Sequence, residues 1–180
     1  MKQIYVNKWI YLIAIVLVII GGLNWGLVGV LNFDLVKSIR MPMVSKIIYM
    51  IIAVSAIYLA LDRSTYLPFL GDTVYPCGGL VDKIPDNATV SLTVKVPPNA
   101  KVVYWASEKS SGSENPWEAY ANYENSGVVT ADHTGTAVLK IREPTQYQTP
   151  IGRKLDKHIH YRHCIVPGML SPVQTVQLNE

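Results

Sequence analysis

The sequence predicts a membrane α-hairpin of two transmembrane helices followed by an all-β, antiparallel sandwich, and three observations predict it. Charge is partitioned: six charged residues lie in the first 61 positions and 23 in the remaining 119. Two long uncharged runs fall in the first part. In the second part, apolar and polar residues alternate with period 2 between turn-forming clusters.

The charge partition also bears on function classes. The first 61 positions carry a net charge of +4 and the rest a net charge of −1, so the overall +3 sits beside apolar runs. Nucleic-acid binding needs a basic face on the folded domain, and the larger part offers none. Wholesale disorder is excluded by an apolar content of 49% combined with low net charge.

The first run, Trp9 to Phe33, is 25 residues without a charge. A bilayer core of about 30 Å needs about 20 apolar residues in a helix, so this run spans. The alternative is a cleaved signal peptide with Lys2 and Lys8 as its basic start. No A-x-A-like cleavage site follows Ile20, and a second apolar run follows, so a span is the better reading. That second run, Ile47 to Leu61, reaches spanning length if its helix begins near Val44 with Lys46 snorkelling and Pro42 just ahead. The polar stretch 34–43 joins the two, giving a hairpin whose ends lie on one side of a lipid bilayer. Gly22 and Gly26 have the small-xxx-small spacing of packed membrane helices, and Asn24 between them is placed to hydrogen-bond across the pair. Lys37, Arg40 and Lys46 balance Lys2, Lys8 and Arg63, so basic residues do not decide which side the rest faces.

The domain boundaries that follow are 1–63 for the hairpin, 64–73 for a linker and 74–180 for the sandwich. Ten of the 11 prolines lie beyond residue 61. Strands are expected at 90–96, 101–106, 127–131, 137–142, 158–166 and 173–178, separated by Pro97-Pro98-Asn99, Asp132 to Gly135 and Pro167-Gly168. A polar loop is expected at 108–115, and no helical periodicity of useful length is visible in this part. Cys77 and Cys164 are the only cysteines; they form a disulfide if the domain lies outside the reducing cytosol, the alternative being two separate buried thiols. Asn87-Ala88-Thr89 is a glycosylation sequon pointing to the same side.

Candidate chemistry sits at His158-Ile159-His160. On a strand the two imidazoles project to one face while Ile159 and Tyr161 face the core, so a metal is held only if other ligands converge.

Two resemblances extend the reading. Asn24-Trp-Gly-Leu-Val-Gly with Asn32-Phe-Asp-Leu-Val, over residues 8–61, resembles a family of small two-helix bacterial membrane proteins of unassigned function. The order Ala100 to Ala106, Gly127 to Gly135, Pro144-x-x-Tyr147, His158-Ile-His160-Tyr and Pro167-Gly168 resembles the intradiol ring-cleavage dioxygenases, transthyretin-like sandwiches that hold Fe(III) with two tyrosines and two histidines. That resemblance implies Tyr147, His158 and His160 as ligands, with Tyr120 or, less well, Tyr123 as the remaining one. Asp156-Lys157 stand where that family has Pro-Ala. The whole arrangement also resembles small membrane proteins of large DNA viruses, which implies a virion membrane with a capsid protein as partner.

The function expected from the sequence is a membrane-anchored structural or interaction protein, without a cofactor, presenting its sandwich to a protein partner, with homo-oligomers open. Tyr104, Trp105, Trp117, Tyr120 and Tyr123 are its candidate contact aromatics. The alternative from another class is a membrane-tethered non-haem iron dioxygenase of intradiol type.

Overall fold

The computed structural model describes residues 2–108, 115–149, 152–166 and 168–178. Most of the expected loop at 108–115 and Pro167 of the expected Pro167-Gly168 turn lie outside them. The chain divides into two compact units, Met1–Pro68 and Phe69–Glu180.

In the first unit, α1 (Lys2–Leu31) and α2 (Pro42–Leu61) are long and apolar enough to cross a membrane, over Lys8–Leu31 and Pro42–Leu61. At 1.5 Å per residue, α2's 20 residues reach about 30 Å. Its helix starts at Pro42 itself rather than near Val44, because proline's fixed φ suits the first helical position and its missing N–H has no partner there anyway. A short turn of helix, α3 (Arg63–Tyr66), follows α2.

The contact face of α1 differs from the expected one. A Cβ on Gly22 or Gly26 would meet nothing within 4 Å, whereas one on Gly21 would run into Ile52 of α2. The helical repeat explains this: Ala14, Gly21 and Asn24 are the buried positions of α1 and form one stripe, and Gly22 and Gly26 are turned away from it. Asn24 also bonds differently than expected. Its carbonyl accepts the N–H of Leu35 at 2.8 Å and its amide donates to Asp34 Oδ1 at 3.3 Å, so it ties α1 to the loop and not to α2. Tyr49 of α2 donates to the same carboxylate, at 2.6 Å from Oδ2. The Asp34 carboxyl is held down at about 2 by that hydroxyl and by the loop amides and Lys37.

The second unit is a two-layer antiparallel structure. Its strands are β1 (Thr73–Val74), β2 (Val90–Lys95), β3 (Lys101–Ala106), β4 (Ser126–Thr130), β5 (Thr136–Ile141), β6 (Tyr147–Gln148), β7 (Lys154–Leu155), β8 (His158–Val166), β9 (Met169–Leu170) and β10 (Gln174–Gln177), with one helical turn, α4 (Pro116–Tyr120). One sheet runs β1-β9-β8-β3-β4 with β10 also on β8; β2 pairs with β5, and β6 with β7. Alternation fills the space between the layers. Val102, Tyr104 and Ala106 of β3 and Ile159 and Tyr161 of β8 meet Val94 of β2 and Ala137, Leu139 and Ile141 of β5. Each of these large apolar side chains contributes about 1.5–3 kcal/mol by leaving water. Tyr104 is therefore core and not a contact aromatic. Cys77 and Cys164 are joined, their Cα atoms 6.3 Å apart, which links the start of the domain to the far end of β8. Asn87 lies exposed in a turn at φ 58°, a left-handed conformation that asparagine tolerates.

Candidate metal centre

The expected ligands come from three separate elements, each fixed by local chemistry. The helical turn α4 is short, so its ends decide it. Asn115 caps it, accepting the N–H of Glu118 at 3.0 Å, and Pro116 opens it. The carbonyl of fully buried Ala119 accepts the N–H of Glu108 at 2.6 Å, which seats Tyr120 inward. Tyr147 opens β6, whose pairing with β7 closes through a turn at Gly152, φ 80°. Ser107 at the end of β3 receives that segment: it donates to the carbonyl of Thr145 at 2.8 Å and accepts its N–H at 2.9 Å. Asn125 is wholly buried and wholly used, donating to the carbonyls of Ser107 and Arg142 and accepting the N–H of Arg142. It ties the ends of β3 and β5 together.

Three atoms converge there. The hydroxyl oxygens of Tyr120 and Tyr147 are 2.9 Å apart, and each is 3.2 Å from Nε2 of His158. All three residues are buried. Nδ1 of His158 lies 2.5 Å from the carbonyl of Asp156. A carbonyl only accepts, so Nδ1 carries the proton and Nε2 turns its lone pair toward the two hydroxyls. The triangle thus has three edges and only two hydroxyl protons to fill them. Burial and the bond to Tyr147 push the Tyr120 phenol well above its ordinary range, and burial raises Tyr147 too. Both hydroxyls are neutral at ordinary pH.

His160 stands beside this triangle, its ring centroid 4.7 Å from that of His158 and 6.0 Å from that of Tyr120. Thr175 of β10 engages its Nδ1 at 2.8 Å, which fixes how the ring is turned. Trp105 of β3 lies against the His160 ring at 5.5 Å, and Tyr123 stacks on Tyr120 at 5.6 Å while remaining 52% exposed. Tyr147, His158 and His160 lie together, and the phenol oxygen beside them is that of Tyr120, with Tyr123 stacked on it. His158 is not on a solvated face, because α4 and β6 fold over that end of β8. The sequence reading missed Asn125, Thr175 and the Asp156 carbonyl; only Asn115-Pro116, a helix-start pair, carried a readable signal for α4.

Does this set fit a metal? With ligand bonds of about 2.0–2.1 Å, neighbouring donors on a tetrahedral or octahedral ion lie about 2.8–3.4 Å apart. The triangle edges of 2.9, 3.2 and 3.2 Å fall in that interval. Among the described residues no group of three or more His, Cys, Asp or Glu side chains is placed to share an ion. The donors here are half phenolic, and anionic phenolate oxygen with imidazole suits ferric iron.

Residues 8–62 match the model of a family described as a domain of unknown function, DUF378. The match covers the two apolar helices, so a membrane-associated DUF378 region precedes the β domain. No curated protein matches the chain. Among solved structures, the chain is similar to an intradiol ring-cleavage dioxygenase from Tetranychus urticae, at 16% identity and a TM-score of 0.33, over 61% of this chain and 65% of that one. It is also similar to catechol 1,2-dioxygenase from Acinetobacter sp. ADP1 inhibited by bound mercury, at 14% identity and a TM-score of 0.35, over 80% and 74%. The chain therefore spans just under two thirds of the length of the Tetranychus protein.

Proposed function

We propose that the β domain is a membrane-tethered non-haem iron site of dioxygenase type, with Tyr120, Tyr147, His158 and His160 as ligands and a vicinal diphenol as substrate class. The observation that carries this reading is the convergence of two phenol oxygens and an imidazole nitrogen at coordination spacing. Bound there, ferric iron would supply Lewis-acid and one-electron chemistry toward a diphenol and dioxygen.

The chain's own residues do the rest. The Asp156 carbonyl fixes the His158 tautomer so that Nε2 is the donor atom. Tyr120 and Tyr147 hold protons at Oη, because burial favours their neutral forms, and would give them up to ligate. Either oxygen, if released from the ion as phenolate, would accept a proton from a substrate hydroxyl, because burial favours its neutral form. Trp105 and half-exposed Tyr123 provide flat apolar walls suited to an aromatic ring.

The Cys77–Cys164 pairing and the exposed Asn87 sequon support a β domain on the non-cytosolic side of the membrane. The test is ferric loading of the purified protein. A visible phenolate-to-iron charge-transfer band, weakened and shifted in Tyr147→Phe and lost in Tyr120→Phe/Tyr147→Phe, together with oxygen uptake on adding catechol, is the expected outcome. A colourless, metal-free protein after loading would overturn the proposal.

One observation favours a second reading, presentation of the domain to a protein partner. Trp117 is 79% exposed, an unusual position for a side chain that dominates protein interfaces. Cross-linking from position 117 in the native membrane, with no protein captured, would exclude it.

A further inference from the structure

The loop-side end of the hairpin carries a feature that the metal centre does not use. A cleft of about 400 Å³ opens there, lined by Lys37, Arg40, Met41, Pro42, Lys46 and Tyr49. Three cations border it. The nearby carboxylate is Asp34, already engaged: Oδ1 accepts the backbone N–H groups of Val36 and Lys37, and both oxygens take the Tyr49 hydroxyl. Lys37 reaches Asp34 Oδ2 at 3.5 Å, while Arg40 and Lys46 make no ion pair among the described residues. Arg40 is held at φ 57° with its N–H on the carbonyl of Lys37, so its side chain leaves a fixed backbone. The first turn of α2 adds to the field, since Met41 makes no side-chain cap and the early amide groups of a helix have no partner within it.

Position narrows the anion. The cleft lies between the ends of two helices long enough to span, which is the depth of lipid phosphates. Its wall is mostly apolar, with exposed Met41 and Pro42 among the cationic residues, and Ile39 of the loop and Met43 of the first turn of α2 are exposed as well. A free anion gains nothing from such a wall, whereas a glycerophospholipid presents phosphate and hydrocarbon together. We infer that the cleft formed by Lys37, Arg40 and Lys46 binds the phosphate of an anionic phospholipid headgroup.

The experiment uses the full chain in vesicles of phosphatidylcholine mixed with phosphatidylglycerol, and reads lipid retained on the protein by native mass spectrometry. Phosphatidylglycerol should be enriched over phosphatidylcholine, and Arg40→Asn should cut the enrichment about fivefold, the factor matching about 1 kcal/mol per basic residue at a membrane surface. Asparagine keeps the left-handed backbone at position 40, so this variant removes charge without disturbing the turn. Lys37→Gln/Arg40→Asn/Lys46→Gln should bring the two lipids to parity, and the equal-charge control Lys95→Gln/Lys140→Gln/Lys154→Gln should leave the enrichment intact. Enrichment that survives Arg40→Asn, or falls equally in the control, overturns the inference. Displacement of the lipid by inorganic phosphate at constant ionic strength would show a site for free anions and overturn it as well.

Discussion

The hydroxyl oxygens of Tyr120 and Tyr147 lie 2.9 Å apart, although 27 positions separate the two residues in the chain. One side chain comes from a single helical turn and the other from a two-residue strand, so neither element holds its own position. Ala119, Tyr120 and Tyr147 form a small buried cluster of their own, apart from the main core. Leu155 and Trp105 pack against it.

Metal uptake should release protons in proportion to the phenols displaced. Both phenols are raised, so each is protonated at neutral pH without an ion and must lose its proton to ligate. Apparent affinity should therefore rise with pH, by up to about a hundredfold per unit when two protons leave. Calorimetry of iron binding in buffers of different ionisation enthalpy counts them. A count of zero would sink phenolate ligation.

Thr175 is a positioning residue for His160. Thr175→Ala should weaken iron binding about 10–100-fold and shift the visible band, with Thr175→Ser restoring both. An unchanged spectrum and affinity in the alanine variant would show that the contact is incidental.

The Cys77–Cys164 link closes a loop with a sequence separation of 87. Chain entropy for a loop of that size implies about 4–5 kcal/mol, to be read as an upper value. Cys77→Ser/Cys164→Ser should lower the urea midpoint of the β domain accordingly, and an unchanged midpoint would contradict the link.

Gly127 has no room for a side chain. A Cβ there would collide with the Tyr104 hydroxyl and with the backbone carbonyl of Lys83, which pairs across to Val128. Gly127→Ala should destabilise the domain by about 1–3 kcal/mol in chemical denaturation, and a neutral outcome would mean that Tyr104 moves freely.

Acid should loosen the turn at Asp132. Its carboxylate accepts from the N–H groups of Thr134 and Thr136 and from the Thr134 hydroxyl, which hold it at about 2, below the ordinary 3.8. A depressed acid stabilises the fold above the ordinary value and loses that contribution as pH falls through about 2. Denaturation midpoints measured between pH 5 and pH 2 should drop more steeply for the wild type than for Asp132→Asn. Parallel curves would count against the turn as the cause.

The parts legible in the sequence were those with a repeating signal. Alternation placed β2, β3, β4, β5, β8 and β10 to within a residue or so, and apolar length placed α1 and α2. Two-residue strands and a single helical turn carry no period, which is why β1, β6, β7, β9 and α4 escaped. The site suffered from the same gap. His158 and His160 were visible as a pair, but their face is buried or exposed according to whether α4 and β6 cover it, and tertiary packing decides that. The choice between Tyr120 and Tyr123 likewise turned on Asn115 and Ala119, whose roles are a cap and an anchor. In the hairpin, Gly22-x-x-x-Gly26 matched a spacing rule, yet the register of the buried stripe selected Gly21.

The link between Cys77 and Cys164 has a topological consequence. Tyr120, Tyr147, His158 and His160 all fall between those cysteines in the chain. The four proposed donors therefore belong to one covalent macrocycle, and a single peptide cleavage anywhere within it leaves two fragments still tethered, with all four residues aboard. Severing the membrane hairpin would release that ring whole.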